Sequence, residues 1–489
     1  MICSLLQSSV SAPCPVSNCA ASAAPASAGP YGTYPSLPPP PPRTLSTVPL
    51  HPSVPEDAQR SGFVLSPSGR LFLPGRMQVT PALNGSGFVT QCTLNVTFYE
   101  VHPDSGEVVR ALTDTHVVDA LVGVLFDARQ GHQASCTAGL GAAAVDEAGG
   151  WLYYPVVAVL SGPTRYDPYG GMDTRSYQAT LRVRRMGLDG TPGSGSTVLQ
   201  QDVTNSSSPF SNVGLPPSVA LSGPADAAPA APAFLLLIPR MTGKYWGNGY
   251  SGSFLALDLF GSGIVRARPV GLGVISAAWA VDQSTGSGTS KYDIYLLYLD
   301  LSNIDACNEL AKSSAFQQTP FYVESYGSCY SWWVARDKGA VSAAAIATWP
   351  VVTLTSGWSG AGADLPSKAA APPGVDVEVI PFTLTTPTWP LATVAAGGSK
   401  VFLSDPFRCQ ILEIDPATGA AKVAAGYEGG AGGNGGGGCT RPMCSIFPTD
   451  GPATGNRPIA TPGRMSADAS GALVFFDETT KRLRRLSPA

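Results

Sequence analysis

The chain has 489 residues, of which only 13% are charged, and its formal net charge at pH 7 is −4. This argues against a nucleic-acid partner, which needs clustered Lys and Arg. Its 55 glycines and 45 prolines are typical of a loop-rich, helix-poor protein, while 44% hydrophobic residues are too many for disorder throughout. No apolar run approaches the ~20 residues that cross a bilayer, so we expect no membrane span in this chain.

The beginning of the chain differs in composition from the rest. Residues 1–50 are rich in Ala, Ser and Pro, and the run Pro38–Pro42 favours extended polyproline II. We therefore predict a disordered or extended arm or stalk at 1–60 and one folded domain at 61–489. Met1–Ala12 has a short apolar stretch without a basic region, so a degenerate signal peptide and a piece of a longer polypeptide both remain open.

From Ser61 onward, short apolar runs alternate with turn residues, a pattern that predicts β-strands. The runs group into units of four. The first three units comprise Gly62–Leu65, Ser68–Pro74, Cys92–Tyr99 and Val108–Val109; then Ala142–Gly150, Trp151–Tyr154, Tyr177–Val183 and Thr197–Leu199; then Ser218–Ala220, Phe234–Ile238, Phe254–Asp258 and Ile264–Val265.

The fourth unit is the least regular. It comprises two clear strands, a short helix and two further strands, predicted at Val274–Val281, Tyr292–Leu299, Leu301–Lys312, Phe321–Val323 and Tyr330–Val334. We expect it to end near Val352, before a Pro/Gly-rich insertion at 359–375.

The fifth and sixth units have the clearest pattern. The fifth has the strands Val401–Leu403, Ile411–Ile414 and Lys422–Ala424, and the sixth has Gly471–Asp477 and Lys481–Leu486. The turn Asp415–Gly419 joins two strands of the fifth unit, because Pro416 presets φ and Gly419 can take a positive φ.

Residues 391–488 resemble an NHL-type β-propeller repeat. The resemblance rests on the Asp-Pro-x-Thr-Gly turn at Asp415–Gly419, and on the loop Thr449–Thr454 followed by the strand entry Pro462–Gly471. It implies a propeller fold and a role in mediating interactions, which is the usual work of that family. Upstream of residue 391 the chain is similar only to propellers in general.

Six units of four strands predict an all-β fold, a six-bladed β-propeller with four-stranded antiparallel blades and irregular insertion loops. A single four-stranded sheet cannot bury both faces, whereas radial stacking around a channel does so. The sixth unit stops one strand short, after Leu486. We expect a segment before Ser61, near Leu45–Val48, to supply its outer strand; if the chain is a fragment, a strand beyond Ala489 would do so instead.

The ten cysteines include no CxxC pair, which favours disulfides over a zinc site. From proximity we predict three bonds: Cys92–Cys136, Cys307–Cys329 and Cys439–Cys444. Three sequons provide the glycosylation candidates Asn84, Asn95 and Asn205. Together these features predict an extracellular or cell-surface location, in the secretory pathway.

No catalytic, cofactor or metal residues are assigned, because the sequence lacks the usual strand–helix and metalloprotease motifs. His102, His116 and His132 fit exposed loops better than a three-histidine metal site. Asp405 and Asp477 each follow an apolar strand, where an aspartate most often accepts backbone N–H bonds in the turn. Carboxylates around a channel metal are the less favoured alternative.

Aromatic residues on a loop of the third unit form the preferred contact site. Tyr245, Trp246 and Tyr250 each offer a flat apolar face with a polar edge, which suits a protein or glycan partner. The favoured function is therefore non-catalytic binding. Three alternatives stay open: a structural subunit of a cell-wall or surface-appendage assembly, a propeller hydrolase or lyase with a channel metal, and the ectodomain of a larger receptor.

Overall fold

The computed structural model describes residues 43–50, 52, 54, 63–83, 89–119, 135–165, 174–202, 218–222, 234–238, 252–258, 265–270, 278–282, 293–300, 331–337, 351–352, 377–384, 393–405, 409–426, 449–454 and 459–488. Every regular element within these ranges is a β-strand, and the strands form six antiparallel sheets of four or five strands each. Over the same ranges, no helix has the length and apolar character that a membrane crossing requires.

The first two sheets follow the predicted units and add strands to them. After β1 (Thr44–Thr47), which belongs to the sixth sheet, the first sheet comprises β2 (Val64–Leu65), β3 (Leu71–Pro74), β4 (Gln78–Leu83), β5 (Val89–Val101) and β6 (Val108–Asp119). The second comprises β7 (Ser135–Leu140), β8 (Ala144–Asp146), β9 (Trp151–Arg165), β10 (Thr174–Gly187) and β11 (Ser196–Asp202). The strands β4 and β7 are additions that the unit pattern did not predict.

The third and fourth sheets share the middle of the chain. The third begins with β12 (Ser218–Ser222), β13 (Phe234–Ile238), β14 (Gly252–Asp258) and β15 (Val265–Val270), and the fourth with β16 (Ala278–Asp282), β17 (Asp293–Asp300) and β18 (Ser331–Asp337). Then β19 (Val351–Val352) returns to pair with β15, and β20 (Val377–Leu384) pairs with β18.

This pairing corrects the predicted end of the fourth unit. The two residues at Val351–Val352 extend the third sheet, while the longer β20 is the edge strand of the fourth. Two residues supply too few ladder hydrogen bonds for an outer strand, whereas Val377–Leu384 is rich in the β-branched and aromatic residues that strands favour. The predicted helix at Leu301–Lys312 and the predicted strand at Phe321–Val323 lie outside the described residues.

The last two sheets contain the clearest repeats. The fifth comprises β21 (Val394–Gly397), β22 (Lys400–Asp405), β23 (Gln410–Ile414) and β24 (Ala421–Gly426); the sixth comprises β25 (Gly451–Pro452), β26 (Pro462–Ala467), β27 (Leu473–Asp477), β28 (Arg482–Leu486) and β1. Strand β1 pairs antiparallel with β28, with Leu45 opposite Leu486. The strand expected near Leu45–Val48 is therefore present, shifted by one residue, but the two-residue β25 pairs on its far side, so β1 is not the outermost strand of the sheet.

An arginine just before β1 connects the beginning of the chain to its end. Arg43 donates to Glu413 Oε2 at 2.8 Å, and to the carbonyls of Gly471 at 3.1 Å and Ser487 at 2.9 Å. Arg43 and Glu413 are both buried, so solvent screens their attraction less than that of a surface pair. The pair therefore holds the beginning of the chain in a fixed position.

Each sheet contacts the next one along the chain. The contacting strands are β4 and β5 with β7, β8 and β9 with β12, β12 with β16, β16 and β17 with β21, and β21 and β22 with β26. Strand β26 of the sixth sheet also contacts β2 of the first. There the Leu65 amide donates to Ser466 Oγ at 3.0 Å, and the Ala469 amide donates to the Pro67 carbonyl at 3.2 Å.

Aspartates organise the turns of the last two sheets. Asp477, fully buried at the end of β27, accepts backbone N–H bonds from Ala460, Thr461, Thr479 and Thr480. The turn-capping interpretation is thus confirmed at this position. Asp405 is also fully buried, at the end of β22.

Candidate binding surface

The first two sheets carry strands two to three times as long as those of the last two. Strands β5, β6, β9 and β10 contain 13, 12, 15 and 14 residues, whereas β23, β27 and β28 contain 5 each. The inner strands β3 and β8 cover only one end of β5 and β9, and β4 and β7 cover the other. The extra length forms a region that we call the projection: residues 78–83, 89–96, 113–119, 135–140, 156–165 and 174–182.

A shared apolar layer and a disulfide hold the two sheets of the projection together. The inward side chains of β5, which are Cys92, Leu94, Val96 and Phe98, are buried in one cluster with residues of β9. Cys92 is bonded to Cys136 of β7, with their Cα atoms 6.2 Å apart, as the sequence analysis paired them. The bond therefore joins the first sheet to the second near the far end of the projection.

A buried ion pair crosses the same interface. Arg184 of β10 donates to Asp114 of β6 through both Nε, at 2.5 Å to Oδ2, and Nη2, at 2.8 Å to Oδ1. The Tyr154 hydroxyl of β9 donates to the same carboxylate, and Arg184 Nη1 donates to Thr197 Oγ1 at 2.7 Å. Planar, two-point pairing of this kind fixes the orientation of both groups. The ion pair therefore fixes the position of the first sheet relative to the second.

The environment keeps Asp114 ionised and Tyr154 neutral. Burial by itself raises the pKa of Asp114, but the hydrogen bonds from Arg184 and Tyr154 outweigh burial and lower it. Burial, together with the neighbouring Asp114, raises the pKa of Tyr154 well above its usual value. A Cβ at Gly195 would collide with the Asp114 carboxylate, so a glycine is needed where β11 approaches the pair.

His116 lies beside this pair on the same side of β6. Its Nδ1 is 3.8 Å from Asp114 Oδ2, its side chain is only 3% exposed, and neither ring nitrogen has a hydrogen-bond partner among the described residues. Burial, and secondarily the positive charge of Arg184, lowers the pKa of His116 to about 4. The expectation of an exposed loop histidine is therefore wrong here; His102 does lie exposed in a turn, and His132 lies outside the described residues.

The outward side of the first sheet presents an array in which most side chains are polar and uncharged. Register places Thr80, Thr93 and Val117 side by side across β4, β5 and β6, and Gln78, Asn95 and Thr115 in the next row. We call this array the threonine face, and none of its side chains is fully buried. Its members are Gln78, Thr80, Ala82, Gln91, Thr93, Asn95, Thr97, Tyr99, Ala111, Thr113, Thr115, Val117 and Asp119.

The two sides of β6 thus have opposite roles. Leu112, Asp114, His116 and Val118 point inward to the second sheet, while the residues between them are exposed. The inward side fixes the strand in place, and the outward side of the same strand carries the polar array. A rigid support reduces the ordering entropy that a binding surface loses on association.

Most of the predicted site residues are not among the residues that the structure describes. The contact residues Tyr245, Trp246 and Tyr250, the sequon residues Asn84 and Asn205, and the cysteines Cys307, Cys329, Cys439 and Cys444 lie outside the described residues. Asn95 lies half-buried in the middle of β5, between β4 and β6, and its glycosylation stays a prediction. Cys409 is disulfide-bonded.

The buried cluster was missed because the predicted strand ended at Val109. The signal that could have found it is the alternation Leu112, Asp114, His116, Val118, which places two ionisable groups on the same side as two apolar ones. Such a pattern predicts a buried, paired charge, although its partners on β9 and β10 are visible only in the fold. No cluster of three or more potential metal ligands occurs within the described residues.

Comparisons with known proteins identify no family. No family model matches the chain, and no curated protein matches it. Among solved structures, the chain is similar to a structural-genomics protein of unknown function from Bacteroides thetaiotaomicron (10% identity, 91% of this chain and 76% of that one, TM-score 0.34). It is also similar to a calcium-containing structure of a carbohydrate-active enzyme of family AA12 from Trichoderma reesei (13%, 91% and 95%, TM-score 0.33) and to an auxiliary nutrient binding protein from Bacteroides thetaiotaomicron (9%, 88% and 96%, TM-score 0.25). At these TM-scores the likenesses carry no argument about fold or function.

Proposed function

We propose that the chain is an extracellular, non-catalytic, NHL-like six-bladed β-propeller that binds a protein or glycan partner through the projection. The observation that carries the proposal is the projection itself, in which long strands of two sheets are locked together by a disulfide and a buried ion pair. Binding surfaces carried by a rigid scaffold are the usual arrangement for recognition modules.

The contacts between sheets support the propeller arrangement. Each sheet meets the next along the chain, the sixth meets the first through β26 and β2, and β1 brings the beginning of the chain into the last sheet. Stacking in a ring would bury both faces of sheets that are too small to be stable alone. The NHL-like turn at Asp415–Gly419 fits this interpretation, although no family model supports the assignment to that family.

The disulfide chemistry supports an oxidising compartment. Cys92 and Cys136 are bonded to each other, and Cys409 is also disulfide-bonded. Bonds of this kind persist in secreted and surface proteins and are rare in the cytosol.

The roles of the ionisable groups in the projection favour binding over catalysis. Asp114, Tyr154 and Arg184 satisfy one another inside the interface, where a substrate would have to separate the two sheets to reach them. The exposed side chains next to them are hydroxyls and amides, which bind and orient but are poor acids and bases near neutral pH.

Hydrogen–deuterium exchange tests the proposal. The full chain is compared with and without partners that a screen of glycans and secreted proteins has found. We expect a bound partner to protect backbone amides of β4–β6 or β7–β10, while the fifth and sixth sheets stay unchanged. Protection confined to residues 393–488, or turnover of a substrate that depends on an added metal, would contradict it.

A further inference from the structure

The threonine face carries almost no charge. Most of its side chains are hydroxyls and amides from β4, β5 and β6, Ala82, Ala111 and Val117 are apolar, and Asp119 at its far end is its one charged member. Even that carboxylate accepts a hydrogen bond from Gln91 Nε2 at 2.9 Å. Hydroxyl and amide groups both donate and accept hydrogen bonds, as sugar hydroxyls do.

The charge of the face excludes several classes of partner. Nucleic acids and anionic membrane surfaces need clusters of Lys or Arg, and the face contains neither residue. Acidic polysaccharides need cations for the same reason. A neutral partner is what this chemistry fits.

The size of the face decides between a neutral protein and a neutral glycan. Strands lie ~4.8 Å apart and rise ~3.4 Å per residue, so three strands and five rows cover about 14 Å by 34 Å, on the order of 500 Å². A stable protein complex, including a dimer of this chain, needs about 800 Å² from each partner. The face has no Trp or Arg anchor, and its one tyrosine, Tyr99, is partly buried against an apolar cluster. Val117 is its one large exposed aliphatic residue.

We propose that the threonine face is the binding site for a neutral, extended polysaccharide, which lies along β5 and is held by hydrogen bonds from Thr93, Thr113 and Thr115. This inference rests on the proposed function and specifies its partner. The Thr97 and Thr113 hydroxyls, 3.5 Å apart, show that neighbouring strands already present their groups in register. The pairing of β5 with β6 fixes that spacing, and the ion pair behind β6 holds the strand against the second sheet.

Binding of the full chain to insoluble cellulose, β-1,3-glucan and mannan tests the inference, with polygalacturonate and chondroitin sulfate as charged counterparts. The variant Thr93→Val/Thr113→Val/Thr115→Val keeps the shape of the face and removes three hydroxyls. Each lost hydrogen bond costs about fivefold in affinity, so the variant should bind the neutral polymer about 100-fold more weakly. Thr44→Val, at an exposed position of β1 outside the projection, is the matched control and should bind like the wild type.

Several outcomes would overturn the inference. These are equal binding by the triple variant and the wild type, stronger retention on the charged polymers, and no retention on any neutral polymer. If the last result came with a protein partner that protects the projection in hydrogen exchange, the inference would fall while the proposed function stood. A mass increment on the peptide containing Asn95 would mean that the chain's own glycan covers the face, which would also overturn it.

A loss of binding is informative only if the triple variant keeps its fold. Valine favours strands as strongly as threonine does, so the triple variant should keep its thermal unfolding midpoint. If it does not, the single variants Thr93→Val and Thr115→Val serve instead, each with an expected loss of about fivefold.

Discussion

The first two sheets and the last two are stabilised in different ways. The long strands of the projection are tied across their interface by the Cys92–Cys136 bond and by the Asp114–Arg184 pair. The short strands of the fifth and sixth sheets depend on a continuous apolar cluster and on aspartates such as Asp477 that cap their turns. A long pair of sheets can slide or splay more easily than short strands between tight turns, so the projection is cross-linked directly across its interface. In the last two sheets the buried Arg43–Glu413 pair instead ties the beginning of the chain to the fifth sheet.

The largest expected effect comes from breaking the buried ion pair. Asp114→Ala leaves the Arg184 guanidinium buried without its partner, which should lower the free energy of unfolding by about 3–5 kcal/mol. Asp104→Ala is the control, because Asp104 pairs with Arg485 while 64% of its side chain is exposed, and its loss should cost no more than about 1 kcal/mol. Urea titrations measure both; equal losses would show that burial between the first two sheets adds nothing to the contribution of the Asp114–Arg184 pair.

Removing the disulfide should have the next largest effect. The bonded residues are 44 positions apart, and the chain-entropy relation gives about 4 kcal/mol for a loop of that length, near the upper end of the usual 2–4 kcal/mol. The variant Cys92→Ala/Cys136→Ala should therefore lose about 2–4 kcal/mol in chemical denaturation. Hydrogen exchange should speed up in β5 and β7 before it does in β22 and β27. Uniform acceleration would show that the bond stabilises the whole domain equally.

Acidification should also weaken the projection selectively. The pKa of His116 is about 4 in the folded chain, against about 6.5 when unfolded, chiefly because of burial. Below pH 6.5 the unfolded chain binds a proton that folded His116 does not accept until about pH 4. Stability is therefore fully present above pH 6.5 and falls as the pH drops towards 4, by up to about 3 kcal/mol.

The groups around His116 sharpen the pH test. Arg182 and Arg184 oppose its protonation, whereas Asp114, whose own pKa is lowered, favours it. His116→Leu should remove the dependence between pH 6.5 and 4, while His102→Asn, at an exposed turn, should retain it. A slope that survives in His116→Leu would assign the effect to other groups.

The sequence predicted the strands whose pattern is local. Short apolar runs bounded by turn residues located β12–β14, β22, β23, β27 and β28, and a missing partner for β28 pointed to the segment at β1. The length of β6 was missed because Asp114 and His116 interrupt its apolar pattern, and their partners come from β9 and β10, 40 and 70 residues away. Pairing of β19 with β15 was missed because only the fold brings those segments together. The threonine face was invisible because it needs the register of three strands at once.

The smallest effect concerns two turns with the same backbone geometry. In the fifth sheet, Asp415 Oδ1 accepts from the Ala417 amide at 2.8 Å and the Thr418 amide at 3.2 Å; the first of these bonds is the main reason why the pKa of Asp415 is lowered. In the first sheet, His102 occupies the same place, and its Nδ1 accepts from the Asp104 and Ser105 amides at 3.3 and 3.4 Å. The closing bonds, from Gly419 to Asp415 and from Gly106 to His102, are both 2.8 Å.

Exchanging the residues at these positions tests whether the turns are equivalent. Asp415→Ala removes both side-chain acceptor contacts and should cost about 1 kcal/mol, whereas Asp415→Asn keeps an acceptor oxygen and should cost about half as much. His102→Asp supplies the shorter, better acceptor to the first sheet and should be neutral or stabilising by a few tenths of a kcal/mol, since the glycine with positive φ is already in place at Gly106. A clear loss of stability in His102→Asp would show that the first sheet requires the imidazole itself. The two turns would then not be equivalent.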